Sequence, residues 1–196
     1  ELYEAYLPLE HNGELLSPTA FLGSAEEYGL LADINRWVVA RAISVLGARA
    51  REGHATQMLV KVTPESFDDP KMIATLRQEL QAHGVPGERL WLHAPEAKVF
   101  THLRAAQQFL AAVAPLGCRI GLEQFGSGLD SFQLLAHFQP QVLKLDRSFT
   151  SDLVTTRENI DLISQITARA QDAGIRTVAE FVSDPNSMTL LVSAGG

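Results

Sequence analysis

Short apolar runs begin at residues 57, 89, 118, 142 and 175, so a strand-like segment recurs every 24 to 33 residues with a helical pattern between each pair. Residues 57–62 (QMLVKV), 89–94 (RLWLHA), 118–123, 142–145 and 175–179 read as strands buried on both faces. Apolar residues recur at the helical period ahead of the first run, at Leu31, Ile34, Val38, Ala42 and Val45, and between later ones: Ile73, Leu76 and Leu80 in 71–83, closed by Gly84; Val99, Leu103, Ala106, Leu110 and Val113; Ile160, Ile163, Ile166 and Ala170. A last helix starts near Asp184. Ahead of this series, residues 2–9 (LYEAYLPL) predict a strand with Glu4 buried and Pro8 marking an edge, and Ser17-Pro18 predicts the N-cap and first turn of a short helix. Strands alternating with helices across short turns imply a parallel sheet with right-handed crossovers. The spacing fits a (β/α) barrel or an open doubly wound sheet.

The strand ends separate these two. Glu4, Lys61, His93, Glu123, Lys144 and Glu180 each stand at or near the carboxyl end of an otherwise apolar strand. An open sheet gathers its ligand at one switch point, whereas a barrel brings every strand end to one mouth. Six polar side chains on six strands favour the barrel. The stretch 120–149 is the most specific: a strand ending in Glu123-Gln124, a turn carrying Gly126, Ser127 and Gly128, an amphipathic helix, and a strand with the single lysine Lys144.

Composition narrows the function. A net charge of −7 argues against nonspecific nucleic-acid binding. No apolar run reaches the roughly 18 residues of a membrane span, and no charged-then-apolar leader pattern opens the sequence, so membrane insertion is not expected. The lone cysteine, Cys118, reads as a small buried apolar residue and suits a reducing cytoplasm. Two lysines among three acids suit an anionic, phosphorylated ligand. Glu4, Glu123 and Glu180 with His93 form a conceivable set for one ion, but a lysine among them brings a competing charge. The residues alone leave a metal centre and a non-catalytic site both open.

The motifs carry a resemblance. YEAYLPL followed by SPTAFLGSAEEYGLLADINRWVV resembles the opening of the EAL-domain cyclic di-GMP phosphodiesterases; EQFGSGLDSF resembles their DDFGTGYSS loop, LKLDRSF their LKIDRSF strand, and TVAEFV their VAEGVE segment. The match is collinear along nearly the whole chain. It implies an α/β, TIM-like (β/α) barrel of the EAL type, truncated at both ends: a single degenerate EAL domain over 1–196 without the family's first strand and last strand and helix. A barrel of this kind runs to about 250 residues.

Set against that family, Glu4 matches the motif glutamate, Lys144 the catalytic lysine and Glu180 the first glutamate of VAEGVE. Lys61 replaces a metal-binding asparagine, His93 a metal-binding glutamate, Glu123 and Gln124 the paired aspartates, and Ser183 the second glutamate. Exchanging oxygen ligands for an amide and a cation disfavours Mg2+. The resemblance therefore implies a FimX-type receptor that holds cyclic di-GMP without a metal or cofactor and does not cut it. Ligand contacts are expected at Glu4, Leu7, Ser17, Asn35, Lys61, Lys144, Glu180 and Phe181, with Phe181 offering a ring to a guanine. Pro8 replaces a phosphate-contacting arginine, which removes one contact. The same resemblance implies a PilZ-type adaptor as partner and a role in type IV pilus control; the cytoplasmic setting is expected from the lone cysteine, and the sequence leaves a monomer and a dimer both open. The alternatives are an active phosphodiesterase with an altered metal set and a scaffold that binds no nucleotide.

Overall fold

The computed structural model describes residues 1–128, 130–150, 157–182 and 184–194. In chain order its elements are strand β1 (Leu2–Glu4), β2 (Leu9–His11), β3 (Glu14–Leu16), helix α1 (Pro18–Glu27), α2 (Leu31–Arg51), β4 (Gln57–Lys61), α3 (Pro70–His83), β5 (Leu90–Pro95), α4 (Glu96–Thr101), α5 (Leu103–Val113), β6 (Arg119–Phe125), α6 (Ser131–His137), β7 (Val142–Leu145), α7 (Arg147–Thr150), α8 (Arg157–Asp172), β8 (Arg176–Val178) and α9 (Pro185–Ser193). Internal contacts divide the chain into two compact units, residues 1–93 with 104–119 and residues 94–103 with 120–196.

In the first unit β4 lies between β1 and β5, parallel to both, with Glu4 opposite Leu59 and Lys61 opposite His93. Leu59, Val60, Leu90, Trp91 and Leu92 are buried, as are Val39, Ile43 and Leu46 of α2 and Met72 and Leu76 of α3. The Arg119 guanidinium covers the Trp91 ring at 4.6 Å. Helix α3 starts where Asp69 accepts the Lys71 N–H at 3.0 Å ahead of Pro70, which needs no N–H partner in the first turn. In the second unit β7 lies between β6 and β8, again parallel to both. Its core includes Leu122, Phe125, Leu143, Leu145, Ile163, Ile166 and Ala170. Asp184 caps α9, accepting the N–H groups of Asn186 and Ser187 at 2.9 Å each ahead of Pro185.

The alternation of strands and helices holds, and the five strands expected from residue 57 onward are all present. Four details differ. The run 2–9 is a strand only over Leu2–Glu4, and Leu9–His11 pairs instead with Glu14–Leu16 in an antiparallel hairpin. Asn12 (φ 52°) and Gly13 (φ 81°) supply the two positive-φ positions that such a two-residue turn demands. Glu4 is exposed rather than buried. The buried face of α2 runs through Leu31, Asn35, Val39, Ala42, Ile43 and Leu46, and that of α3 through Met72, Leu76 and Leu80, so Ile34, Val38, Val45 and Ile73 are only half-buried. The single helix expected around Val99 to Val113 is two, because His102 leaves helical geometry (φ −121°, ψ 35°), and Phe109 rather than Leu110 is buried in the second.

Candidate functional site

Within the first unit β1 and β5 bring a carboxylate and an imidazole together. The Nε2 atom of His93, a fully buried side chain, lies 3.6 Å from Glu4 Oε1, an ion pair when the imidazole is protonated. Lys61 ends β4 with its side chain exposed, directly opposite His93 in the register. Asn35 is buried on α2 and donates from Nδ2 to the Thr63 hydroxyl at 2.7 Å, which spends one of its amide hydrogens inside the protein. Beside it Arg36 joins Asp33 to Asp69, tying the start of α2 to the cap of α3. Ser17 does stand at the N-cap of α1, but its hydroxyl bonds the Thr19 hydroxyl at 2.8 Å rather than a backbone N–H. Leu7 and Pro8 line an apolar groove of about 490 Å³ with Phe21, Tyr28, Ile34 and Trp37.

The second unit carries the glycine turn and the lysine. From Leu122 to Phe125 β6 advances three positions while β7 advances two, from Leu143 to Leu145, so the ladder holds a bulge. Within it Glu123 is buried and Gln124 is exposed at φ 55°, a left-handed conformation uncommon for a residue with a side chain. Gly126 follows at φ 94°, where a Cβ would run into the Phe149 ring. Its N–H donates to the buried carboxylate of Glu96 at 2.8 Å. A Cβ on Gly128 would lie 2.8 Å from the other oxygen of that carboxylate. Glu96 thus shapes the turn from the start of α4, a function that the periodicity of its helix gave no reason to suspect.

Lys144 is buried in β7, and its ammonium meets Glu180 Oε1 at 2.9 Å. Phe181 is next in the chain, 61% exposed and held at φ 57°. The Arg147 guanidinium lies 5.0 Å over its ring. Phe181 therefore presents an aromatic face to solvent rather than packing beneath the strand ends. Ser183 lies outside the described residues. Cys118 is buried ahead of β6, and burial pushes its thiol up to about 11, in keeping with an inert apolar role.

The fold and these residues are those of one family: the EAL domain sequence model matches residues 1–195, and the chain belongs to that family. Over its full length it is similar to two FimX EAL domains. The Xanthomonas citri domain, solved in complex with c-diGMP, is 62% identical at a TM-score of 0.96, with 77% of that chain covered. The Pseudomonas aeruginosa domain, solved bound to c-di-GMP, is 31% identical at a TM-score of 0.92, with 79% covered. The α/β fold is thus the TIM-like EAL type expected from the sequence. Across 94% of the chain it is also 26% identical to the cyclic di-GMP phosphodiesterase PdeF of Escherichia coli. The chain spans about a quarter of the length of the curated relatives it matches. Among the described residues no helix is long and apolar enough to cross a membrane.

Proposed function

We propose that this chain is a cyclic di-GMP receptor that holds the nucleotide without a metal, does not hydrolyse it, and passes its binding on to a protein partner. The observation that carries this reading is the likeness to the X. citri FimX EAL domain, which contains c-diGMP and matches this chain from end to end at 62% identity. The donor chemistry supports it. Mg2+ takes near-octahedral oxygen ligands, whereas the first unit offers one carboxylate and one imidazole, Glu4 and His93, with the Lys61 ammonium opposite His93 in the ladder. An imidazole and an ammonium suit that ion less well than oxygen ligands do, and no catalytic step is routed through one. Lys61 is better suited to a phosphate, and the exposed ring of Phe181 to a guanine. Glu4, Leu7, Ser17, Asn35, Lys144 and Glu180 complete the proposed contacts. A cytoplasmic setting, a PilZ-type adaptor, type IV pilus control and pairing with a second copy belong to the same reading.

Isothermal titration with cyclic di-GMP in EDTA tests it: saturable binding is expected, and its absence overturns the receptor reading. The similarity to PdeF favours hydrolysis as the competing reading. Incubation with Mg2+ or Mn2+ followed by chromatography decides between them, because release of linear pGpG establishes a phosphodiesterase.

A further inference from the structure

We propose that Arg147 is a positioning residue for the nucleotide: it holds the Phe181 ring in the orientation in which a base stacks on it, and it acts through that ring rather than on the ligand. This rests on the receptor reading above. Lys144 and Arg147 belong to one short strand-to-helix segment, β7 and the start of α7, and each grips one of two consecutive residues beyond β8. The Lys144 ammonium holds the Glu180 carboxylate at 2.9 Å, and the Arg147 guanidinium covers the Phe181 ring at 5.0 Å. The two residues are gripped as a pair, so the backbone between them is fixed at both side chains.

Phe181 needs such a grip. Its φ of 57° is a conformation that L-residues keep only where their surroundings impose it. With 61% of its surface exposed, the ring has little apolar packing to select one rotamer. A guanidinium stacked on one face selects it, and leaves the other face to a base. An aromatic side chain held in its binding orientation loses less freedom when the ligand arrives, which is how preorganisation strengthens binding. Arginine suits this better than a compact ammonium because its plane stacks parallel to a ring while keeping its charge.

The test is a double-mutant cycle by titration calorimetry with cyclic di-GMP in EDTA. Arg147→Ala is expected to weaken binding about two- to fivefold, the size of an exposed cation–π contact, and Arg147→Lys to recover part of the loss. In a Phe181→Ala background, Arg147→Ala is expected to change nothing further. Equal losses in both backgrounds overturn the proposal, because Arg147 then acts on the ligand directly or through the fold. An unchanged affinity in Arg147→Ala overturns it while leaving the receptor reading standing. Failure of the unsubstituted chain to bind overturns both. Thermal melts of each variant by far-ultraviolet circular dichroism confirm that the proteins compared are folded.

Discussion

Replacing Phe181 by glycine should separate stability from binding. The family motif carries glycine where this chain has Phe181 at φ 57°. A residue with a Cβ costs about 1–2 kcal/mol in the left-handed region, and glycine removes that cost. Against this, glycine returns about 0.4–1 kcal/mol of freedom to the unfolded chain, and the exposed contact with Arg147, about 0.5–1 kcal/mol, is lost. These nearly cancel, so Phe181→Gly should stay within about 1 kcal/mol of the parent, a melting shift under roughly 4 °C for a chain of this size. Binding should fall much further. Stacking one base on an aromatic ring is worth about 1–3 kcal/mol, which is roughly a five- to 140-fold loss of affinity. Phe181→Ala, which loses the ring but keeps the strained backbone, should be about 1 kcal/mol less stable than the glycine variant. Melting by circular dichroism and titration with cyclic di-GMP measure the two quantities. A glycine variant that melts far below the parent would show that the ring is a packing residue. One that binds the nucleotide as the parent does would refute its role in stacking.

Three further outcomes follow from the geometry. Glu96→Ala should cost about 1–3 kcal/mol in urea unfolding, because the Gly126 N–H loses its acceptor, and Glu96→Gln, which keeps a carbonyl oxygen, should cost less. Gly87→Ala should fold poorly, since its Cβ would overlap the Leu116 carbonyl oxygen, whereas Gly23→Ala in α1, with open space around the added methyl, should stabilise by up to about 1 kcal/mol. Cys118, buried with a thiol pushed up to about 11, should resist iodoacetamide at pH 8 in the native protein and react once denatured; rapid native labelling would place it at the surface.

The rhythm of the chain was legible because each strand is short, apolar and followed by a helix with its own signals. The last helix starts at Asp184-Pro185, as expected, and the helix expected from residue 71 starts one residue earlier, at Pro70. The hairpin carried its signal too, Asn12-Gly13, but flanking strands of three residues each are too short to show alternation. Leu31 and Ala42 of α2 and Leu76 and Leu80 of α3 are buried as expected, while Ile34, Val38, Val45 and Ile73 lie one residue from the buried Asn35, Val39, Leu46 and Met72, since an apolar stripe wide enough to bury leaves two neighbouring rows that look alike in sequence. The strand-end residues could be listed from the sequence, while their pairings could not. Nothing local says that Lys144 meets Glu180, that Arg147 lies on Phe181, or that Glu96 reaches a glycine thirty positions away. Such contacts depend on which strands become neighbours, a property of the whole topology.

The division into two units has an optical consequence. Both tryptophans, Trp37 and Trp91, and all three tyrosines, Tyr3, Tyr6 and Tyr28, fall in the first unit, so the second is built with phenylalanine as its only aromatic residue. Intrinsic fluorescence excited above 280 nm therefore reports on one unit alone. Trp91, fully buried, should emit to the blue and resist acrylamide, while Trp37, 60% exposed, should emit to the red and be quenched readily. The unit that carries Lys144, Glu180 and Phe181 is dark in that channel, and a tryptophan placed in it would give it a signal of its own.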